Sequence, residues 1–443
     1  MKHTSIFLLT LVLLLVSSTC FGQAESLKLS LKEAIDYGLK NRKDVINQQI
    51  NIQLAENEID KVRARSLPQI SAGFDFRYNT KLQAGFIAAG LFANPDPLVL
   101  RFGAPYTSVA GINANYEIFN PATVADKQIA QKNVALTQAN AEKNLIEVKL
   151  AIAQVYYIAL LDQEREKFSE NNLIRTQAYY KEGKNKFDNK TIPQNDVDRL
   201  KLDYENAKIT YEESIKNSLL SKMYLANQLG ATLNVNISLS ENLAEVLNSV
   251  PESIIKQADL NKRIEIQQEQ LKLDYNQLNI KKQTKIAMPT FALYGSWSSL
   301  QVSSDFQFFN GQWWFPFHFV GFRMNMTLFD GMLRNKTKYE YKLRETQSQN
   351  ALAKLQSDIA YEQASSKIQL QNAFSKLKTA KGNYTLAENI IEIDNVRFKE
   401  GKITLSELNN AEYTLATAQN NLLTFYYNFL MAKLNYQKSV GEL

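Results

Sequence analysis

The sequence predicts a mainly α-helical chain with a smaller β part suited to a membrane, and it predicts that this plan is written twice. Three observations carry the prediction. Long stretches without Pro or Gly place apolar residues at spacings of three and four, two pairs of shorter stretches alternate apolar with polar residues, and the second half repeats marks of the first in order. With 16 Gly and 9 Pro among 443 residues and 45% hydrophobic content, the chain has few breakers and can bury a large core, so long helices are expected.

The first element is a secretory signal over residues 1–22: a basic start, an apolar run from Ile6 to Val16 that is too short for a bilayer, then small residues. Cleavage is expected after Gly22. A lipidated Cys20 is the alternative, disfavoured because Ser17, Ser18 and Thr19 lack the apolar residue that lipidation prefers. Loss of this segment removes His3, Lys2 and the single Cys, leaving His318 as the one histidine and a net charge of +5. Disulfides and thiolate chemistry then drop out. One His without clustered carboxylates is too little for a metal centre, and interleaved acids and bases are no nucleic-acid footprint. No nucleophile and base in order, phosphate loop or dinucleotide fingerprint stands out, so neither an enzyme nor a cofactor is expected.

The mature chain reads as two repeats, residues 23–240 and 251–443, joined by a connector at 241–250. Arg42, Asp44 and Val45 align with Arg263, Glu265 and Ile266, and the same offset of 221 carries Pro68 of "LPQI" onto Pro289 of "MPTF". Further on, "YEIFNP" (116–121) matches "MTLFDG" (326–331), and "LANQLG" (225–230) matches "NYQKSVG" (435–441). The tetrapeptide "KEGK" occurs at 181–184 and at 399–402, which reads as the same point of each repeat.

From Val124 to Glu182 there is neither Pro nor Gly, and Leu145, Val148, Ile152, Val155 and Ala159 form a coiled-coil-like stripe. At about 1.5 Å per residue such a helix is about 90 Å long, too long for a compact globule. Val197, Leu200, Tyr204, Ala207 and Tyr211, and in the second half Leu408, Ala411, Leu415, Ala418, Leu422, Phe425 and Phe429, keep the same spacing. These stripes pack helix on helix and bind nothing themselves.

Between the helices the period falls to two. Strands are expected at about 68–79, 106–119, 289–299 and 317–330. In the second, Ala110, Ile112, Ala114, Tyr116 and Ile118 face one way and Gly111, Asn113, Asn115 and Glu117 the other. In the fourth, His318, Val320, Phe322, Met324, Met326 and Leu328 oppose Arg323, Asn325 and Thr327. Such strands either cover a protein core or stand between lipid and a watery lumen. An export signal and the absence of an apolar run of about 18 residues in the mature chain favour the second, with Ile112, Tyr116, Phe322 and Met324 toward lipid. Four strands cannot close a barrel alone, so the wall is shared between subunits. The loops at 81–105 and 300–317 are rich in Gly, Pro and aromatics and suit outward-facing hairpins; Trp313 and Trp314 are either interfacial anchors or packed loop. Asn120 and Asp330 stand where a side-chain oxygen caps a helix start.

"LSLKEAIDYGLKNRKDV", "LPQI", "YEIFNP", "MTLFDG" and "RFKEGKITLSELNNAEYTLATAQNNL" together resemble the TolC-type outer-membrane efflux proteins over nearly all of the mature chain. The resemblance implies a homotrimer, with four strands per subunit in a twelve-stranded outer-membrane β-barrel and the long helices in a coiled-coil α-helical barrel in the periplasm. It implies a channel that takes substrate from a periplasmic adaptor (membrane fusion protein) and an inner-membrane transporter and conducts it passively to the outside. It also implies a tip turn marked by a glycine followed six residues later by an acid. Gly401 and Glu407 match that pattern, and Gly183 matches with Asp196 once seven extra residues, 184–190, are allowed for. Lys181, Gly183, Lys399 and Gly401 are then the tip turns and adaptor-docking points, and Asp196, Glu407 and Asn410 the periplasmic entrance. The acids also suit the positive end of a helix dipole, and Asn410 stands where the family often has a second acid. The competing reading is an exported, water-soluble helical scaffold or adhesin whose strands cover an ordinary core.

Overall fold

The computed structural model describes residues 26–87, 89, 98–232, 235–243, 263–309, 311 and 314–443. The signal at 1–22 with Cys20, most of the connector at 241–250, Trp313 and part of the loop at 81–105 lie outside these residues. The chain forms two compact units, one of Met1–Ile50, Ala139–Gln268 and Leu352–Leu443, the other of Asn51–Gln138 and Glu269–Ala351. In chain order the elements are β1 (Ser26–Leu29), α1 (Leu31–Asn41), α2 (Lys43–Arg65), β2 (Gln69–Tyr78), β3 (Gln83–Ile87), β4 (Leu98–Phe102), β5 (Tyr106–Phe119), α3 (Pro121–Asp188), α4 (Gln194–Gln228), β6 (Asn236–Leu239), α5 (Ile264–Lys285), β7 (Thr290–Ser303), β8 (Trp314–Asn325), α6 (Leu333–Lys399) and α7 (Leu405–Ser439).

In the first unit, β1 and β6 pair in parallel. Ser30 and Glu33 close a capping box at the start of α1, which satisfies donors that a helix start otherwise leaves free. The core gathers Ile152 and Tyr156 of α3, Leu225 of α4 and Phe429 and Leu430 of α7, all buried. Gly38 is there because of a close approach: a Cβ at this position lies 2.3 Å from Ile152 Cδ1. Among the described residues one helix, α3, carries an 18-residue window of mean hydropathy 1.4, long and apolar enough to cross a membrane. This corrects the expectation that no such run exists. Half of that window is buried inside the chain, as befits a core helix.

The repeat is visible as a duplicated arginine clamp. Arg42 holds Asp44 through two hydrogen bonds of 3.0 and 2.7 Å and donates to the Gln228 carbonyl at the end of α4. Arg263 holds Glu265 (3.0 and 3.1 Å) and donates to the Ser439 carbonyl at the end of α7. Each helix then turns at a glycine of positive φ, Gly230 at 71° and Gly441 at 75°. A guanidinium at the negative end of a helix completes carbonyls that lack a partner within the helix. The Arg42 hydrogen bonds hold the Asp44 carboxyl below its ordinary range. Burial pushes Glu265 up, but the hydrogen bonds from Arg263 prevail and it too is lowered.

In the second unit, four antiparallel strands form one sheet in the order β2-β5-β7-β8. Residues directly opposite share a face. The register sets Ala72 beside Ile112, Ile112 beside Trp297, Tyr116 beside Leu293, Leu293 beside Phe322 and Phe291 beside Met324. Ile112, Tyr116, Phe322 and Met324 therefore lie on one apolar face, each more than a third exposed in the single chain. The other face carries Ser71, Asp75, Arg77, Asn113, Asn115, Ser296, Arg323 and Asn325.

Three strand boundaries differ from expectation by more than one residue. The fourth strand stops at Asn325, before Met326, Thr327 and Leu328, because the chain leaves the ladder to enter the turn at Gly331 (φ 64°) and Met332 (φ 66°). It also starts earlier, at Trp314, which puts Phe315, Phe317 and Phe319 on the face that carries Arg323. That face is therefore not polar throughout. Phe319 meets Tyr294 edge-on, and Arg323 lies 4.3 Å over the Tyr294 ring. The third strand runs on to Ser303, past the expected end at 299.

The loop after β7 folds back on the apolar face. Phe306 and Phe308 pack edge-on against Phe76 and Phe74, with centroids 5.9 and 5.5 Å apart. The Trp314 indole N–H donates to the Phe308 carbonyl at 3.1 Å. Trp314 is thus the first residue of β8 and packs on the loop before it, meeting Phe308 edge-on with centroids 5.7 Å apart.

Arg263→Ala strands Glu265 half-buried without its partner and is expected to cost about 3 kcal/mol at neutral pH, read by thermal unfolding. The native Glu265 pKa is lowered, so its contribution is complete above the ordinary carboxylate value and is lost as pH falls through the lowered one. The variant should accordingly lose less stability than the parent between about pH 6 and pH 3. Parallel pH curves for parent and variant would contradict the clamp.

Candidate functional site

Helices α3 and α4 form one hairpin and α6 and α7 another, and their two turns share a design. In the second, Gly401 N donates to the Phe398 carbonyl (3.0 Å) and Lys402 N to the Arg397 carbonyl (2.8 Å); in the first, Lys190 N donates to the Phe187 carbonyl (2.7 Å) and Thr191 N to the Lys186 carbonyl (2.8 Å). Both are Schellman turns, with the left-handed residue just beyond the helix end. Gly401 has φ 74° and Lys190 φ 57°.

The residue equivalent to Gly401 is thus Lys190, not Gly183. Lys190 to Gly401 is an offset of 211, and so are Asp196 to Glu407 and Gly230 to Gly441. "KFDNKTI" (186–192) overlies "RFKEGKI" (397–403) without a gap. The KEGK copies lie 218 apart, seven more than 211, so they do not occupy equivalent points and there is no seven-residue insertion. Burial confirms the offset: Val197 and Leu408, Leu200 and Ala411, and Ala207 and Ala418 are buried alike.

Gly183 lies inside α3, five residues before its end at Asp188, and serves packing: a Cβ there would come 2.4 Å from Leu200 Cδ1. Lys181 and Lys399 are both exposed, but only Lys399 adjoins a turn.

The structure also separates the two acids. Glu407 belongs to a capping box in which its Oε2 accepts from Thr404 N (2.7 Å) and Thr404 Oγ1 (2.9 Å), while Glu407 N donates to Thr404 Oγ1 (3.3 Å). These bonds, the backbone one foremost, hold its pKa below the usual carboxylate range. Pro193 stands at the N-cap of α4 and supplies no side-chain cap, and the half-buried Asp196 carboxylate has no partner among the described residues. Asn410, exposed on the second turn of α7, contributes an uncharged amide.

A small core ties the two hairpins together just behind the turns. Tyr179 and Phe398 meet edge-on at 6.2 Å, above the buried Leu200, Leu408, Ala411 and Leu415. The Lys186 ammonium lies 4.5 Å over the Phe398 ring and donates to the Phe398 carbonyl at the end of α6. Farther from the turns, Arg175 grips Glu412 with two hydrogen bonds of 2.9 and 3.0 Å, and Tyr179 Oη donates to the same carboxylate at 3.1 Å. This network borders a cleft of about 310 Å³ that also takes in Asp203, Asn206 and Asn409. Burial, and then the Glu412 charge, push the Asp203 pKa up. Arg175 and Glu412 lie 237 positions apart, and no local motif announces either.

The sequence profile of the outer membrane efflux protein family matches residues 34–231 and 254–442. The chain belongs to that family. Its fold is similar to the CmeC outer membrane channel of Campylobacter jejuni (TM-score 0.69, 14% identity, 96% of this chain and 90% of that one). It is also similar to the open-state MtrE outer membrane channel of Neisseria gonorrhoeae (0.69, 15%, 96% and 93%) and to the outer membrane protein VceC of Vibrio cholerae (0.68, 14%, 93% and 96%). No curated protein sequence matches significantly. The family is one of outer-membrane channels with a helical barrel and a β part, not of enzymes, and the two matched segments of this efflux protein are its two repeats.

Three substitutions read the turn assignment through the thermal unfolding of detergent-purified protein. Gly401→Ala forces a Cβ into positive φ and should cost about 1 kcal/mol, and Lys190→Gly should stabilise by a similar amount. Thr404→Ala removes the cap and should cost about 1 kcal/mol. A stabilising Gly401→Ala would reverse the assignment.

Proposed function

We propose that three copies of this chain form an outer-membrane channel that passively conducts substrate handed over by a periplasmic adaptor and an energised inner-membrane transporter. The observation that carries this reading is the four-stranded sheet with an apolar face and two unpaired edges, in a chain of the efflux family. Among the described residues, strands β2 and β8 each have one neighbour. Within a bilayer such edges must be paired, and twelve strands from three copies close the wall.

The helical hairpins stand in the periplasm in this reading, with the turns at Lys190 and Gly401 docking the adaptor beside Lys181, Gly183 and Lys399. Asp196, Glu407 and Asn410 surround the entrance. Asp196 supplies the free charge there, since one Glu407 oxygen is occupied by Thr404.

Cysteines introduced along β2 and β8 are expected to give disulfide-linked trimers at one register, in membranes that salt does not strip of the protein. Monomers released by salt would instead favour the water-soluble scaffold.

With Ile112, Tyr116, Phe322 and Met324 toward lipid, Ile112→Arg or Phe322→Arg should cost about 2 to 4 kcal/mol and lower the yield of trimer, whereas Arg at Asn113 or Asn325 should be tolerated. Equal damage on both faces would defeat the barrel.

Carboxylate rings favour cations. In planar bilayers Asp196→Asn should reduce cation preference more than Glu407→Gln, which should mainly lower the melting temperature. The opposite ranking would place the entrance charge on Glu407.

A further inference from the structure

A cleft of about 370 Å³ opens where α2 ends, β5 ends and α3 begins. A β-bulge between Glu117 and Phe119 makes it: the shift leaves Ile118 without a ladder partner and brings Phe119 opposite Phe291, on the apolar face with Tyr116. The side chains of Arg63, Ser66, Thr123 and Lys127 line the same cleft. Arg63 spends one N–H on Asp60 (2.9 Å), which leaves four. Among the described residues the hydroxyls of Ser66 and Thr123 and the ammonium of Lys127 have no partner. Glu117 also lines the cleft, and its Oε2 accepts from the Asn120 side-chain amide at 2.9 Å.

The second repeat lacks this arrangement. There Asp330 replaces Asn120, and its Oδ2 accepts from Arg334 N (3.1 Å) and Arg334 Nε (2.6 Å), so acid and base neutralise each other. In the first repeat the position is a neutral amide, with Asn120 Oδ1 accepting from Ala122 N at 3.0 Å.

A guanidinium, an ammonium and two hydroxyls are the donor set of a phosphate site. Here they adjoin Tyr116 and Phe119, both more than a third exposed, at the end of an apolar sheet face. We infer that this cleft holds the phosphate of an anionic phospholipid, with the acyl chains lying along Tyr116 and Phe119. The inference rests on the membrane reading given above. The donors fix a lipid of the periplasmic leaflet at one strand end per subunit, which matches the chemistry of a headgroup above and hydrocarbon beside it.

The test is native mass spectrometry of the full chain, released from nanodiscs of phosphatidylglycerol or of phosphatidylcholine. The parent should retain phosphatidylglycerol preferentially, and Arg63→Gln combined with Lys127→Gln should lower that retention about tenfold. The exchange pair Arg63→Lys with Lys127→Arg should restore it. Trimer yield and melting temperature report whether the variants fold. Equal retention by parent and double variant overturns the site, as does displacement of the lipid by millimolar inorganic phosphate, which would make the cleft a free-phosphate site. Failure of the parent to enter the nanodiscs at all would instead overturn the membrane reading itself.

Discussion

Backbone hydrogen bonding along two free strand edges is the constraint on which the β part of this chain depends. In hydrocarbon an unpaired N–H or C=O costs several kcal/mol, so an open sheet cannot remain there. The order β2-β5-β7-β8 contains three antiparallel pairings, so β2 and β8 run opposite to each other. A β2 from a second copy can therefore continue the ladder of β8 in the same antiparallel pattern. Pairing of this kind serves backbone groups and is indifferent to side chains, which is how β8 can carry Phe315, Phe317 and Phe319 on one face and Val320 and Phe322 on the other.

The helical part answers the same demand differently. Long helices satisfy their own backbone except at the ends, and the chain treats those ends alike in both repeats: an arginine with an acid two residues on completes the carbonyls of α4 and α7, and a left-handed residue turns each hairpin. Between the ends, burial follows a common offset although the side chains differ. Ser218 stands where Phe429 stands, and both are buried. A serine on this face suits a close approach, as Ser169 and Ser214 show with hydroxyls 2.6 Å apart. The repeats thus keep geometry at the ends while varying how the middles pack.

Much of this was legible in the sequence because periodicity records which side of an element is buried. The alternation around Ile112 and Phe322 placed both residues on the sheet's apolar face, and the stripe from Leu408 to Phe429 is buried in α7. Boundaries were less legible. Met326 and Leu328 continue the alternation of β8 in letters, but the turn at Gly331 and Met332 draws the backbone off the ladder first. The hairpin turn departs from its expected place for a related reason. Seven residues is about two helical turns, so the KEGK at 181–184 preserves the face expected of it while sitting two turns too early, and only the backbone reveals a lysine in the left-handed position. Contacts such as Arg175 with Glu412 join distant segments and leave no local trace.

The two turns, once aligned correctly, are not equally held. The second has glycine in the left-handed position, where a side chain costs about 1 to 2 kcal/mol, and a reciprocal cap between Thr404 and Glu407. The first has Lys190 in that conformation and Pro193 in place of the cap. Lys186, at the end of α3, donates to the Phe398 carbonyl at the end of α6, which ties this turn to the neighbouring hairpin. A locally weak turn opens at lower free energy than its surroundings, so separation of the hairpins loosens the first tip before the second. The acid that is free of a cap, Asp196, belongs to that first tip, which places the unpaired charge on the less firmly held of the two.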